Sequence, residues 1–336
     1  MRCGRGCSQS PRHKPAGQMR RSTTASRALG PGRARSFPWP ASFVLLAAIW
    51  GCSFWWIKLG LRSFSPVDVA FGRLTIGTLA LVVISGLTRA RLPRGRSTWG
   101  HLFVLALVLN SVPFTLISFG ETHISAVLAG IINALTPVAV LLMVVAVFRE
   151  DQPNAERVGG LVLGFAGVLV VVGVWNGLGS GELLGVGACL GAVVCYGIGF
   201  PYARRHLTNL AEGPVALATG QVFCGAVQLL PFAVLTGHVQ AHVATASVYA
   251  MIGLGILGSG VAYVLNFHVI DQAGGTIAST VTYLTPVFAV VVGAVFLGEP
   301  VTWYEPVGGL VILTGAALAQ GRIPTLSGKR RPAGGS

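Results

Sequence analysis

Residues 158–162 of the chain read VGGLV, and residues 307–311 read VGGLV again, 149 positions further on. The same offset relates the LTP at residues 135–137 to the LTP at residues 284–286. Apolar sequence of low complexity produces isolated matches by chance. Several landmarks that share one offset indicate instead that the chain contains an internal repeat.

Two further correspondences support the repeat. Glu150 and Glu299 are also 149 positions apart, and the YG at residues 196–197 echoes the WG at residues 50–51 at an offset of 146. The common spacing of proline and glutamate is not explained by low complexity. The sequence therefore predicts two related halves, at residues 41–175 and 182–320.

The composition is that of a membrane protein. Hydrophobic residues make up 53% of the chain, charged residues only 10%, and the mean hydropathy is +0.71. Soluble domains carry about 25% charged residues, so this chain could not cover a water-exposed surface, and lipid must surround it. The 46 glycines suit the close approach of helix backbones within a membrane bundle.

The predicted fold is an all-α membrane protein of ten transmembrane helices. A bilayer is crossed by about 20 apolar residues. The third and fourth stretches are separated only by residues 120–123, and the eighth and ninth by residues 271–275, but a continuous helix there would be much longer than a bilayer requires. The ten apolar stretches are 41–59, 67–87, 99–119, 124–148, 157–175, 182–202, 214–236, 247–269, 275–297 and 303–320.

The distribution of basic residues predicts the topology. With a cytosolic N-terminus, 21 of the 24 Lys and Arg residues fall in cytosolic segments, as the positive-inside rule requires. We therefore expect a multi-pass membrane protein with an even number of spans and both termini in the cytosol. Since each half has an odd number of helices, the halves must have inverted topology, which is typical of alternating-access transporters.

Both ends of the chain are basic. Residues 1–40 contain nine Lys and Arg and no acidic residue, which predicts a disordered tail, and residues 321–336 form a second basic tail. The N-terminal composition also resembles an organellar transit peptide. A cytosolic tail or a true start at Met19 is the preferred interpretation. The net charge of +14 lies mainly in tails and loops, so no nucleic-acid partner is expected.

The chain contains a series of short motifs, which are WGCSF at 50–54, KLG at 58–60, SP at 65–66, Arg73, SAVLA at 125–129, TP at 136–137, Glu150, GVAY at 260–263, LTP at 284–286 and FLGEP at 296–300. In these motifs the chain resembles the EamA-type transporters of the drug/metabolite transporter superfamily. The resemblance extends over about residues 41–321 and implies ten helices in two inverted halves, with export or exchange of small metabolites across the cell (inner or plasma) membrane. One departure is FRED at residues 148–151, where the family often has an aliphatic residue before Gly-Glu.

Arg73 is the sharpest charge within a predicted span, and such residues usually have a function. It could attract an anionic substrate group, pair with Asp68, or serve a structural role at a helix end. Acidic residues fall only near the ends of spans, Glu121 among them. A carboxylate proton relay is therefore not predicted.

Polar and aromatic residues within the spans are the candidates for a substrate pathway, although interhelical hydrogen bonding explains many such residues. Pro137 and Pro286 are predicted to kink matching helices and so to act in gating, with a packing kink as the alternative. The pathway candidates are Trp50, Arg73, Asn110, Asn133, Thr136, Tyr263, Asn266, Thr282, Tyr283 and Thr285.

No motif for catalysis, a cofactor or a metal is present. GLGILG at residues 253–258 matches GxGxxG but lies in an apolar stretch with no strand before it, so it fails as a dinucleotide site. The six cysteines form no CxxC pair. The chain is therefore not expected to be an enzyme.

The sequence predicts a secondary transporter that exports a small polar metabolite, such as an amino acid, by alternating access. A lipid or lipid-linked sugar flippase is the alternative within transport, and a non-transporting membrane scaffold or receptor is the alternative of another class. The expected partners are a small-molecule substrate and the bilayer, with the chain as a monomer or homodimer. The sequence does not specify the coupling ion.

Overall fold

Every regular element that the computed structural model describes is a helix. The description covers residues 38–146, 155–176, 179–207, 212–236, 243–273, 278 and 280–319. Within these residues, seven helices are long and apolar enough to cross a membrane, and three shorter apolar helices accompany them at Val158–Val172, Val281–Leu297 and Tyr304–Leu318. The prediction of an all-helical membrane protein is confirmed, and the count of ten spans stays a prediction.

We label the helical segments α1 to α10 in chain order. Three of them, α3, α8 and α9, contain a π-helical stretch, and α4 is interrupted by a turn. The bounds are α1 Trp39–Gly60; α2 Pro66–Thr88; α3 Arg96–Ala106, Leu107–Ser111 (π) and Val112–Glu121; α4 Ala126–Asn133 and Thr136–Ala146; α5 Ala155–Val172; α6 Ser180–Leu207; α7 Pro214–Thr236; α8 Thr245–Gly253, Leu254–Val261 (π) and Ala262–Ala273; α9 Val281–Val292 and Gly293–Leu297 (π); α10 Tyr304–Ala319.

Local sequence accounts for where α2 begins and α4 breaks. Ser65 and Asp68 form a reciprocal capping box at the start of α2, with Pro66 as its first residue. In α4 the turn at residues 134–135 tightens to i→i+3 hydrogen bonds, and the helix restarts immediately before Pro137. Pro286 lies inside the Val281–Val292 segment of α9. The gating role of the two prolines stays a prediction.

Packing between the helices repeats along the chain. Gly51 brings α1 against α9, where a Cβ atom on Gly51 would lie 2.8 Å from the Thr285 carbonyl oxygen and close to Phe288. Gly197 brings α6 against α4 in the same way, and its Cβ would lie 3.0 Å from that of Ala139. Ala139 and Phe288 are separated by the 149-residue offset of the repeat. Each of these helices therefore packs against a helix of the other half.

Helices α5 and α10, which carry the two VGGLV copies, pack face to face through glycines. A Cβ atom on Gly315 would lie 2.5 Å from the Gly164 nitrogen and 2.8 Å from the Gly160 carbonyl oxygen. One on Gly308 would lie 2.5 Å from the Val171 nitrogen. Because backbone rather than side-chain atoms form these contacts, only glycine permits this separation of the helices.

Several predicted features lie outside the described residues. They include nearly all of the N-terminal tail, the C-terminal tail at 321–336, and Glu150 with the residues around it. The equivalent of Glu150 in the second half, Glu299, is described: its carboxylate accepts hydrogen bonds from the backbone nitrogens of Ala126 at 2.9 Å and Val127 at 3.0 Å. Glu299 thus caps the first turn of α4 from the other half of the chain.

Candidate functional site

A cavity of about 70 Å³ lies between the halves of the bundle. Helices α1 to α4 line it from the first half, and α6, α8 and α9 line it from the second. Seven of the ten sequence candidates line the cavity: Trp50, Arg73, Asn133, Tyr263, Asn266, Thr282 and Thr285.

Arg73 is buried in the cavity wall, with 3% of its surface exposed. Its Nε donates to the Ser259 hydroxyl at 3.1 Å, and its Nη2 donates to the Gly258 carbonyl oxygen at 3.5 Å. The guanidinium carbon lies 3.6 Å from the centre of the Phe114 ring, which makes a cation–π contact. These neutral contacts hold the guanidinium in place, and no carboxylate of the described residues lies at hydrogen-bonding distance from its positive charge.

Arg73 and Asp68 do not form the pair that the sequence suggested as one alternative. The Asp68 carboxylate accepts hydrogen bonds from the backbone nitrogen and hydroxyl of Ser65, at 3.4 and 2.7 Å. Asp68 therefore caps the start of α2, whereas Arg73 lies more than one turn further along the helix. The capping box takes precedence because Asp68 is the third residue of α2, within reach of the unpaired backbone groups.

Asn110 does not line the cavity but supports Tyr263, which does. The Asn110 amide donates to the Tyr263 hydroxyl at 2.7 Å, and the Asn110 oxygen accepts from the Gln221 amide at 2.6 Å. The Tyr263 ring meets Trp50 edge-on, with 6.3 Å between the ring centres. Gln221 thus orients the Asn110 amide, and Asn110 in turn orients the Tyr263 hydroxyl. These contacts hold the rings of Tyr263 and Trp50 in the cavity wall.

The π-helical stretches of α3 and α8 provide these polar contacts. Asn110 belongs to the stretch in α3, while Gly258 and Ser259 belong to the stretch in α8. A π-helical turn accommodates an extra residue and redirects side chains and carbonyls, which is why such turns occur often at functional sites.

Two more sequence candidates lie away from the cavity. The Thr136 hydroxyl is fully buried and donates to the Asn133 carbonyl oxygen at 2.8 Å, so it stabilises the break in α4. The Tyr283 ring is partly buried against the apolar core of the bundle. Thr136 thus contacts the cavity residue Asn133.

Sequence reasoning missed more than half of the cavity wall. The missed residues are mostly apolar or aromatic, so most of them could not be distinguished from ordinary core residues. Tyr196 was detectable, because the repeat pairs it with Trp50. The missed residues are Ser53, Phe54, Ile57, Leu109, Phe114, Ile117, Tyr196 and Phe200.

A second recess, of about 430 Å³, opens where α1, α3 and α9 end. Lys58, Arg62, Glu121 and Glu299 contribute to its lining. Glu121 was expected near a helix end, and it is the last residue of α3, but its surface is completely buried. This recess is therefore larger and more highly charged than the cavity between the two halves, which we call the central cavity.

The described residues contain no group of three or more His, Cys, Asp or Glu side chains arranged to hold a metal ion. Cys52, Cys189, Cys195 and Cys224 are free thiols. The central cavity presents a guanidinium, amides, hydroxyls and aromatic faces, which are groups suited to binding a small polar molecule by hydrogen bonds and charge.

Comparison with known proteins places these features in a family. The model of the EamA-like transporter family matches twice, at residues 38–173 and 183–320. A solved crystal structure with 17% sequence identity aligns with a TM-score of 0.61 over 84% of this chain and 98% of its own, which shows a shared fold.

Curated relatives match over most of their length. An uncharacterized transporter of Archaeoglobus fulgidus is 26% identical over 82% of this chain and 94% of its own. A probable terminal-alkyne amino-acid exporter of Streptantibioticus cattleyicolor is 28% identical over 87% of this chain and 95% of its own. The uncharacterized transporter YdfC of Bacillus subtilis is 24% identical over 82% and 88%. The chain belongs to the EamA-like transporter family, whose domain it contains twice.

Proposed function

We propose that this transporter exports an amino acid or a related small polar metabolite by alternating access, through ten spans in two inverted halves. The observation that carries the proposal is Arg73, a buried cation in the wall of a cavity that both halves line. The similarity to a probable amino-acid exporter over nearly the whole chain supports this choice of substrate class.

The groups in the cavity complement the two charged ends of an amino acid. Arg73 binds the carboxylate, since a guanidinium offers several N–H donors in a planar fork. The oxygen of Asn266 has no hydrogen-bond partner among the described residues and accepts a hydrogen bond from the ammonium group. The faces of Trp50 and Tyr263 add cation–π attraction for the same group.

The arrangement of the helices supports alternating access. A cavity of about 70 Å³ accommodates only a few water molecules, so a substrate is admitted only when the helices around it separate. The contacts of α1 with α9 and of α6 with α4 join opposite halves at related positions. When one of these two contacts opens and the other stays closed, the cavity is accessible from one membrane face. When the second opens and the first closes, the cavity is accessible from the other face.

The proposed orientation has both termini in the cytosol of a cell-membrane protein. In this orientation α1, α3 and α9 all end at the outer surface, where their ends form the second recess. The basic loop that includes Arg89, Arg91 and Arg94 then faces the cytosol.

Counterflow in proteoliposomes tests the proposal. Vesicles containing the purified chain are loaded with one unlabelled amino acid at a time from a panel, and uptake of the same labelled amino acid is followed. At least one member of the panel is expected to show transient uptake above that of protein-free vesicles. The absence of counterflow for every amino acid, with monodisperse protein, would exclude this substrate class.

A further inference from the structure

Glu121 is an ionisable side chain that the proposed substrate site does not use. It is completely buried at the end of α3, and neither of its carboxylate oxygens has a hydrogen-bond partner among the described residues. Burial of an uncompensated carboxylate costs several kcal/mol, and such a group binds a proton instead. This burial without partners favours the neutral carboxylic acid over the carboxylate in this conformation.

The charged neighbours of Glu121 have partners of their own. The Lys58 ammonium donates to the backbone carbonyl oxygens of Glu121 at 2.6 Å and Ile124 at 2.8 Å, rather than to the carboxyl group. The Glu299 carboxylate caps α4. Among the residues that the structure describes, the titratable and charged groups near the Glu121 carboxyl are Lys58, Arg62, Arg73, His123, Cys189 and Glu299.

From this geometry we infer that Glu121 is the proton-binding site of the transporter and that Lys58 changes its hydrogen-bond partners when the proton leaves. This inference rests on the proposed function. Glu121 borders the 430 Å³ recess while remaining completely covered. When the packing that covers Glu121 loosens, water from the recess reaches the carboxyl, the O–H bond breaks, and that water accepts the proton. The Lys58 ammonium then leaves the two carbonyls and pairs with the new carboxylate.

This exchange couples the proton to the conformation of the helices. In the protonated state Lys58 ties the end of α3 to Ile124, two residues before α4 begins. In the deprotonated state that tie is released, because the ammonium is held by the carboxylate instead. Proton binding and release therefore favour different arrangements at this end of the bundle.

Infrared spectroscopy of the full chain in nanodiscs tests the protonation directly. At neutral pH the wild-type protein is expected to show a carboxylic-acid C=O band that Glu121→Gln removes. Glu182→Gln is the matched control, since Glu182 is exposed at the start of α6, and it should leave the band unchanged. A wild-type spectrum without a band that depends on Glu121 would overturn the inference.

Transport measurements separate this inference from the proposed function. With an imposed pH gradient, wild-type proteoliposomes are expected to accumulate the labelled amino acid, whereas Glu121→Gln should lose accumulation and keep counterflow. Equal accumulation by both proteins would refute proton coupling through Glu121 and leave the transport proposal standing. If the wild-type protein shows no counterflow, the transport proposal is refuted. The infrared band would still decide whether Glu121 is protonated.

Discussion

Replacing Arg73 with glutamine is expected to remove amino-acid counterflow at concentrations that saturate the wild type. The change deletes the buried positive charge that faces the cavity, and glutamine has too few donors to replace a guanidinium fork. Losing a buried charge contact costs about 2–4 kcal/mol, or on the order of 30- to 1,000-fold in affinity. Counterflow measured across a range of substrate concentrations gives this change as a shift in half-saturation.

Three comparisons make the result specific. Arg73→Lys keeps the charge without the fork and should retain part of the affinity, while Arg91→Gln alters an exposed loop arginine and should have no effect. The decarboxylated amine should be a poor substrate for the wild type and should lose little in Arg73→Gln. If Arg73→Gln protein is monodisperse and transports with unchanged half-saturation, Arg73 is a structural residue.

Gly315→Ala is expected to destabilise the protein by about 2–3 kcal/mol, the upper part of the range for overpacked interiors. The new methyl group would meet the Gly164 nitrogen at 2.5 Å and the Gly160 carbonyl oxygen at 2.8 Å. Both contacts are with backbone, so α5 and α10 must move apart and lose close packing along their length. Thermal unfolding in detergent, followed by size-exclusion chromatography, measures the loss.

Gly187→Ala is the matched control for Gly315→Ala. Gly187 lies within α6, and a Cβ atom there would meet nothing within 4 Å. Since alanine favours a helix over glycine by about 1 kcal/mol, this variant should be as stable as the wild type or more so. Equal melting temperatures for the two variants would show that backbone contacts do not determine how closely α5 and α10 pack.

The repeat in the sequence predicted more of the architecture than any single residue did. Matching landmarks indicated two halves, and both VGGLV copies lie in helices that pack against each other. Polar residues within apolar stretches pointed to the cavity because burying a polar group in a membrane requires a partner or a function. Arg73 and Asn266 were identified on that principle, and both line the cavity.

The remaining features depend on contacts that composition cannot indicate. Glu121 looked like an ordinary helix-end residue, and its burial results from packing by segments more than 60 positions away, including the one that carries Lys58. Thr136 is as polar as Thr282, which lines the cavity. At the break in α4, however, the Thr136 hydroxyl donates to the Asn133 carbonyl oxygen. Phe114 gave no signal because an aromatic residue in a span usually belongs to the core, and only the fold brings it against Arg73.

Reversible exposure of the central cavity to both membrane faces is the central claim, and thiol labelling tests it most directly. Ser53 lines the cavity and is nearly isosteric with cysteine, so Ser53→Cys is introduced into a chain whose six native cysteines are replaced by alanine. A membrane-impermeant thiol reagent is applied to right-side-out and to inside-out vesicles. Labelling from both faces, slowed by a transported amino acid, is the predicted result. Labelling from one face only, whatever the substrate, would contradict alternating access through this cavity.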